Sequence, residues 1–438
     1  MTILDVGQPA AESSVVPVVG PLTFGQLSAW RDAGRLSRAR WHEANVFHTF
    51  DLPEPVPLHR LRRALDRLGA KHESLRTVYD VSDPVSPLQR LLPAEPIGTA
   101  LTVAVSGSRH VAALQTELRE RLFDLSTDRP FRVLALVRGP HVARISLCLH
   151  HIACDGWSLG LLVVDLLALV GLAGEPWPPP PLPLIEVAEQ QRTTASWQTK
   201  LRASQRHFRA VHPSEVTDFR HRDPTAGVLQ VAIDSRRLRS AADRLVAEHK
   251  VSIASVFTTA FLDSVAAQCD PGPIRIGLMS SNRFLERWRN QVTTMNQLVP
   301  MIAESDPTLD YHRRLAEVQL STMRAYRLGL FDVDPVTPQA LGLALQPAQV
   351  RPLCIFNMVN GAEVEYPDSE TQNPDEPAAV PELHWETAFN QAAAGCNLRA
   401  QLTFGGTVRL RLRTGDLSPD ITSQILLDTY RRVIEQTH

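Results

Sequence analysis

Two adjacent histidines, an aspartate and a glycine lie close together in the segment LHHIACDGWS, residues 149–158. An imidazole has an ordinary pKa near physiological pH, so it can take up or release a proton under working conditions. His150 and His151 are neighbours, and neighbouring side chains of an extended chain point in opposite directions. One of the two can therefore face a cleft while the other packs inward. Asp155 and Gly156 follow at a point where the backbone is free to turn.

Three interpretations of this segment are open from the residues alone. The histidines can be hydrogen-bonded locally at the end of a strand, with Asp-Gly as an ordinary turn. They can belong to a metal site, but the other histidine and acidic residues supply no partner cluster at ligand spacing. One imidazole can also act as a general base. The spacing from His150 to Asp155 is similar to that of glycerol-phosphate acyltransferases, whose phosphate-binding motifs are missing here.

The neighbouring patterns place the segment at the edge of a sheet. Apolar residues alternate over residues 131–138 and 142–150, and the Gly139-Pro140 turn between them predicts a β-hairpin. The apolar residues that follow, over 158–170, predict a buried amphipathic helix. The histidines therefore lie where the chain leaves a strand and enters a helix, a position from which side chains can point into a crevice.

Helix and strand patterns on both sides of a proline-rich stretch predict an α/β fold of two lobes with mixed sheets. Residues 1–18 are expected to be a flexible lead, and residues 19–176 an N-terminal lobe that carries the histidines. Residues 177–184 contain most of the run EPWPPPPLP, which cannot continue a helix or a sheet, and are expected to link the lobes. An SH3-ligand interpretation of these prolines is less favoured inside a globular chain. Residues 185–438 form the second lobe, which begins with one predicted helix over 185–211.

The composition excludes several classes of partner. The chain has 438 residues, with 45 Lys and Arg against 47 Asp and Glu, so its formal net charge is −2. Such a balance gives no basic surface for nucleic acid or for an anionic membrane. Five scattered cysteines without a CxxC pair argue against a disulfide framework or a structural zinc site. No signal peptide is evident and the longest apolar run is too short to span a bilayer, so we expect a soluble, cytoplasmic protein.

The segment LHHIACDGWS resembles the HHxxxDG signature of the condensation domains of nonribosomal peptide synthetases, which share a fold with chloramphenicol acetyltransferase. Four further segments are similar to motifs of the same family, in the same order. They are PLTFGQLSAW (21–30), KHESLRT (71–77), IGLMSSNR (276–283) and MNQLVP (295–300). Their family counterparts read S-x-A-Q-x-R-L-W, R-H-E-x-L-R-T, I-G-x-P-x-A-N-R and F-V-N-T-L-P. The resemblance covers about residues 20–437.

Some family segments have no counterpart in this chain. The H-Q-D-x-P-F-E segment is missing, and AYRLGLFD (325–332) stands nearest to its place. The D-F-G-W-G motif of plant acyltransferases and the repeated-Asp motif of cyclising relatives are both absent. These absences count against those two branches of the family.

The resemblance implies two chloramphenicol acetyltransferase-like lobes in a V-shaped pseudo-dimer, with the active site in a tunnel between them. It implies that His151 is the catalytic histidine, which deprotonates or orients the acceptor, and that His150 is structural. Asp155 would form an ion pair with Arg283 of the second lobe. Gly156 would leave room for a phosphopantetheine arm and offer its amide to the developing oxyanion.

Other residues receive weaker assignments from the same resemblance. Ser158, Asn357 and Asn360 are expected to line the cleft. Cys154 lies three residues from His151, which would suit a thiol–imidazole couple, but it fills a variable position of the motif and is expected to be a buried bystander. No metal ligands are assigned.

The resemblance also implies the reaction. The leading hypothesis is a free-standing condensation enzyme of natural-product biosynthesis, including antibiotic biosynthesis. Its donor would be an acyl or aminoacyl thioester on the phosphopantetheine of a separate carrier protein, and its acceptor an amine or hydroxyl. The enzyme would be monomeric and hold no cofactor of its own. One alternative is a small-molecule acyltransferase that takes its donor from a CoA thioester. Another is a catalytically inactive relative that recruits other enzymes.

Overall fold

A computed structural model describes most of the chain. The described residues are 18–96, 100–107, 109–180, 182–304, 310–360, 381–388, 395–403 and 406–436. Residues 1–17, nearly all of the predicted lead, lie outside this description, as does the side chain of Asn360.

The first part of the chain forms two sheets, one of four strands and one of three. The strands are β1 (Val18–Pro21), β2 (Asn45–Pro57), β3 (Thr77–Asp80), β4 (Leu88–Leu91), β5 (Leu101–Val105), β6 (Phe131–Arg138) and β7 (His141–His150). The helices are α1 (Phe24–Ala33), α2 (Leu58–Lys71), α3 (Val111–Glu120) and α4 (Gly156–Leu169). The larger sheet has the order β2-β7-β6-β5 and the smaller one β1-β4-β3.

The predicted hairpin is the centre of the four-stranded sheet. Strands β6 and β7 pair antiparallel with Phe131 opposite Leu149, and Gly139 takes a φ of +59° in the turn between them. Leu61, Leu65 and Leu68 recur at helical spacing on α2 and are fully buried against this sheet and α4. In this sheet β7 lies between β2 and β6, and the last residue of β7 is His150.

The second part of the chain forms a seven-stranded mixed sheet with helices. Its strands are β8 (Leu229–Ser235), β9 (Ile274–Ser280), β10 (Gln297–Ala303), β11 (Cys354–Asn360), β12 (His384–Trp385), β13 (Cys396–Leu402) and β14 (Val408–Thr414). Its helices are α5 (Leu184–Thr193), α6 (Ala195–Val211), α7 (Arg236–His249), α8 (Ile253–Ala266), α9 (Glu286–Arg289), α10 (Tyr311–Arg327) and α11 (Pro419–Glu435). The strand order is β10-β9-β11-β13-β14-β8-β12.

The two faces of this sheet differ in character. Leu398 and Ala400 of β13 and Leu410 and Leu412 of β14 are fully buried and pack in one core with α7, α8, α10 and α11. Because side chains alternate along a strand, the residues between them point to the opposite face. There β14 carries arginines at positions 409, 411 and 413. One face is therefore apolar and covered by helices, while the other is polar.

Two local predictions differ from the structure. The single helix predicted over 185–211 is two helices, α5 and α6, because Thr194 between them has an extended backbone. Strands β1 and β4 were not expected, and β4 pairs with both β1 and β3. Their short sequences carry too little alternation to predict a strand, and pairing with distant residues stabilises them instead.

Ion pairs and packing contacts join the first part of the chain to the second. Asp155 and Arg283 form a buried ion pair, and Arg31 of α1 forms a bidentate ion pair with Asp334 at 2.8 Å for each contact. Helix α4 also packs against β11. The proline-rich stretch is anchored at its beginning, since the amide of Trp177 donates to Asp165 at 2.7 Å. The lobe boundaries at 176 and 185 stay predictions.

The described residues contain neither a membrane-spanning single helix nor a metal-binding cluster. No single helix there is long and apolar enough to cross a membrane; α7 and α8 pass by length and composition only as a pair, which is bent by 108°. No group of three or more His, Cys, Asp or Glu side chains in the described ranges could hold a metal ion.

Candidate active site

The predicted motif spans the step from β7 to α4. Strand β7 ends at His150, and Gly156 is the first residue of α4. Asp155 caps the helix, because its Oδ1 accepts a hydrogen bond from the amide of Ser158 at 2.9 Å. The motif therefore folds as a strand end, a tight turn and a capped helix start, as its sequence setting predicted.

Asp155 is held by a residue from the other half of the molecule. Arg283 donates through Nη1 to Oδ2 at 2.7 Å and through Nη2 to Oδ1 at 2.9 Å. The two side chains are almost completely buried, with 1% of Asp155 and 4% of Arg283 exposed. A fork of this kind fixes both the distance and the angle between its partners. The ion pair therefore holds the turn after β7 against the segment after β9.

The backbone of residues 291–296 completes the surroundings of this pair. The amides of Met295 and Asn296 donate to Asp155 Oδ2 at 3.0 and 3.3 Å. Burial alone would raise the pKa of the Asp155 carboxyl, but Arg283 and the hydrogen bonds from the amides of Met295 and Ser158 together lower it below its ordinary value. Asp155 is thus a carboxylate whose oxygens are occupied, and it is not available as a base.

Ser158 belongs to the same network and does not line an open wall. Its side chain is fully buried, and its Oγ donates to the carbonyl of Thr293 at 2.7 Å. The same Oγ accepts from Arg283 Nη2 at 2.8 Å and from the amide of Thr293 at 3.0 Å. Because its hydrogen bonds are all used, the structure places this hydroxyl among the supports of the ion pair.

His150 points into the protein. Burial lowers its pKa to about 3, so the ring is neutral at physiological pH. Its Nδ1 accepts a hydrogen bond from the amide of Ile152 at 3.1 Å, and the edge of the ring faces Phe123. A neutral imidazole with an accepting Nδ1 carries its proton on Nε2. His150 therefore supports the turn from inside.

His151 lies on the other side of the turn and is only half-buried. Its amide donates to the carbonyl of Ala44 at 2.7 Å, and its Nδ1 lies 3.3 Å from Thr294 Oγ1. The Thr294 hydroxyl donates its only proton to the carbonyl of His151. Because that proton is committed, Oγ1 is placed to accept a hydrogen bond from Nδ1. No hydrogen bond is made by Nε2 within the described residues.

Gly156 contributes a backbone donor at the start of α4. Its amide is the first of the helix, and the first amides of a helix have no partner within the helix. The aligned peptide dipoles place partial positive charge at this end. The helix that follows the turn of His151 therefore begins with an amide that no carbonyl of the helix satisfies.

This geometry is accompanied by a match to a known family. A family model described as Condensation domain matches residues 36–334. The chain belongs to the condensation-domain family. Condensation domains catalyse amide- or ester-bond formation, which is an acyltransferase activity.

Relatives and solved structures agree with this assignment. The phosphinothricin tripeptide synthetase PhsC of Streptomyces viridochromogenes is 34% identical over 188 residues, which are 41% of this chain and 17% of the synthetase. The condensation domain from the monacolin K polyketide synthase MokA has a TM-score of 0.75 at 15% identity, covering 96% of this chain and 97% of that one. The X-domain in complex with OxyB, from teicoplanin biosynthesis, has a TM-score of 0.70 at 18% identity, covering 99% and 96%. The predicted two-lobed fold class is confirmed.

Helix α1 of this condensation domain covers the site, and a glycine lets it approach. A Cβ on Gly25 would lie 2.6 Å from the Cα of Met295 and closer still to the carbonyl oxygen of Thr294. Thr23 and Gln26 form a capping box that fixes the start of α1. The opening motif thus positions a helix directly on the segment that contacts His151 and Asp155.

The cleft-lining role of Asn357 and Asn360 stays a prediction. Asn357 is on β11, on the polar face of the sheet, and is half-buried. Asn360 ends the same strand, and its side chain is outside the described residues. Cys154 is fully buried, and its Sγ donates to the carbonyl of Asp155 at 3.3 Å. His72 is buried against Asp165 at 2.6 Å, in agreement with a structural role.

Sequence reasoning missed Thr294. It lies 143 positions from His151, and neither residue signals the other at that distance along the chain. The only available signal was the nearby segment MNQLVP, which starts at the next residue. The contact between His151 and Thr294 forms only when the first and second parts of the chain pack against each other.

Proposed function

We propose that this condensation domain transfers an acyl or aminoacyl group from a carrier-protein thioester to an amine or hydroxyl acceptor, with His151 as the general base. The observation that carries the proposal is the setting of His151, which is half-buried and has its Nδ1 3.3 Å from Thr294 Oγ1, so that Nε2 is the nitrogen left for the acceptor. Nε2 takes the proton of the acceptor as its nitrogen or oxygen attacks the thioester carbonyl carbon. The carbon–sulfur bond then breaks, and the protonated imidazole returns the proton to the leaving thiolate.

Two neighbouring features support this reaction. The amide of Gly156 can donate to the oxygen of the thioester carbonyl as it becomes an oxyanion. The Asp155–Arg283 pair holds the turn rigid but takes no part in proton transfer, since its hydrogen bonds are already made. The thioester arm is part of the substrate, so no bound cofactor is needed. We further propose that the enzyme acts as a monomer in the cytoplasm of its cell.

The test is a transfer assay on the full chain with a separate carrier protein. Carriers loaded with acyl or aminoacyl groups are incubated with amines and alcohols, and products are identified by mass spectrometry. We expect product with the wild-type chain and at least a hundredfold less with His151→Ala, in line with the roughly 10²–10⁴-fold contribution of a general base. His141→Ala is the matched control, because His141 lies exposed at the other end of β7. Acyl-CoA alone serves as the competing donor.

A recruitment role is the second candidate, and the similarity to the X-domain that was solved with OxyB favours it. That role needs no proton transfer, so product formation in the pathway would survive His151→Ala. Full retention of product with this variant would replace the acyltransfer proposal with the recruitment one.

A further inference from the structure

The polar face of the seven-stranded sheet carries a row of side chains that point away from the helices. In this row Asn397 of β13 lies opposite Arg413 of β14, and Arg399 lies opposite Arg411. Residues directly opposite each other in an antiparallel pair have Cβ atoms about 4.5–5.5 Å apart. Asn397 and Arg413 are therefore close enough to contact one small ligand together.

Arg413 differs from the other arginines of its strand. Glu386 accepts hydrogen bonds from Arg409 at 2.6 Å and from Arg411 at 2.8 Å, and Asp234 lies 3.7 Å from Arg409, so these two arginines have two acidic partners. The side chain of Arg413 makes no hydrogen bond or ion pair that is seen within the described residues, and its Nε is buried. The side chain as a whole is half-buried, and the charge of Glu43 acts on it, so a bound anion would give this guanidinium a direct hydrogen-bond partner.

Neighbouring side chains on the same face are also unsatisfied. Asn397 Oδ1 is buried and has no hydrogen-bond partner among the described residues. Gln401, which is 1% exposed, has neither amide atom hydrogen-bonded there. Buried polar atoms in native proteins are nearly always paired, with protein, water or ligand. An arginine and two amides left unpaired on one face indicate a built polar site.

The sheet connects this site to the motif of His151. Strand β11 packs against α4, the helix that begins at Gly156, and pairs with β13 so that Ile355 lies opposite Asn397. Burial lowers the pKa of Arg413, and the charge of Glu43, which immediately precedes Ala44, opposes that effect. The Glu43 carboxylate also accepts from Arg40 at 2.6 and 3.0 Å. A ligand on Arg413 and Asn397 would therefore lie next to the strand that packs against the helix of the motif.

We propose that Arg413 and Asn397 bind the acceptor, and that the acceptor is a free amino or hydroxy acid. The guanidinium fork fits a carboxylate, while the unsatisfied Asn397 Oδ1 requires an N–H or O–H of the same molecule. An acceptor whose only carboxyl is joined to a carrier as a thioester has no carboxylate to offer. The inference rests on the proposed function, because it assigns to that reaction the acceptor that His151 would activate.

The experiment measures binding and transfer separately. Isothermal titration of the full chain uses a panel of amino acids and hydroxy acids, each beside its carboxamide. We expect at least one acid to bind, and its amide to bind roughly 10- to 100-fold more weakly, the effect of losing a charge-assisted hydrogen bond. Arg413→Met should weaken the acid to the level of the amide, and Arg413→Lys should fall between. Arg236→Met, on the exposed start of α7, should change nothing.

Other variants separate this inference from the proposed function. His151→Ala should keep acid binding while transfer is lost. Asn397→Ala should weaken the acid and its amide by the same factor, so that their ratio is unchanged. If no acid binds, if acids and amides bind equally, or if Arg413→Met binds the acid as the wild type does, the assignment of this site is wrong. Loss of transfer without loss of acid binding would not affect the assignment of this site.

Discussion

Among single residues, Thr294 has the most direct influence on the chemistry proposed for His151. We expect Thr294→Val to lower kcat roughly 10- to 100-fold, part of the contribution of a general base, because the ring loses the acceptor beside its Nδ1. KM should change little, since Thr294 is buried behind the ring. Thr294→Ser keeps the hydroxyl and should retain most of the activity. Steady-state kinetics of both variants measure kcat and KM. An equal loss of kcat in Thr294→Val and Thr294→Ser would contradict this prediction.

His150 gives a prediction about pH and stability. In the folded protein its pKa is about 3, against 6.5 for an ordinary histidine, so between those values only the unfolded chain binds the proton. Stability must therefore fall as the pH drops from 6.5 towards 3, by at most about 1.4 kcal/mol per pH unit. His150→Asn keeps an acceptor for Ile152 but does not titrate, so its unfolding free energy should depend less steeply on pH.

Denaturant unfolding at several pH values measures this difference. His141→Asn is the control, because His141 is exposed and should leave the slope of the wild type unchanged. A slope for His150→Asn equal to that of the wild type would show that His150 is not the group responsible.

At the level of elements, the seating of α1 depends on one glycine. Gly25→Ala would place a methyl group against the backbone of Thr294 and Met295, neither of which is a flexible side-chain end. We expect a loss of about 1–3 kcal/mol of stability, the usual cost of overpacking, together with reduced transfer because Thr294 is displaced. Thermal unfolding and the transfer assay measure the two effects.

The same helix supplies the control for that substitution. Gly34 ends α1 with a φ of −63°, and a Cβ there meets only backbone oxygens at 3.5 and 3.6 Å. Gly34→Ala should therefore be neutral or stabilise the protein by roughly 0.4–1 kcal/mol through the unfolded chain. Equal destabilisation by both substitutions would mean that helix backbone preferences, and not the contact with Thr294, decide the outcome.

For the whole molecule, the two ion pairs between the halves should differ in strength. Arg283→Met leaves the Asp155 carboxylate buried and unpaired, and should cost about 3–5 kcal/mol. Arg31→Met removes a half-exposed pair with Asp334 and should cost no more than about 1 kcal/mol. Chemical unfolding of both variants gives the comparison. Similar losses of unfolding free energy in the two variants would show that burial does not determine how much each ion pair stabilises the protein.

The sequence allowed the motif, the hairpin before it and the family to be predicted, because each has a local signature. Alternating apolar residues predicted β6 and β7, and the segment around Arg283 resembled a family motif, which implied its pairing with Asp155. The break at Thr194 was missed because the flanking residues all suit a helix. Thr294 and the unpaired Arg413 were missed because their roles arise only where distant strands and loops meet.

The Asp155–Arg283 pair also sets an order of events during synthesis. The two residues are 128 positions apart, so His151 leaves the ribosome well before the arginine that supports its turn. At roughly 5–20 residues per second, that interval is on the order of ten seconds. During it the nascent chain already contains the reactive imidazole but has no completed pocket. Until the second half has been translated, the turn that carries His151 therefore lacks the arginine that supports it.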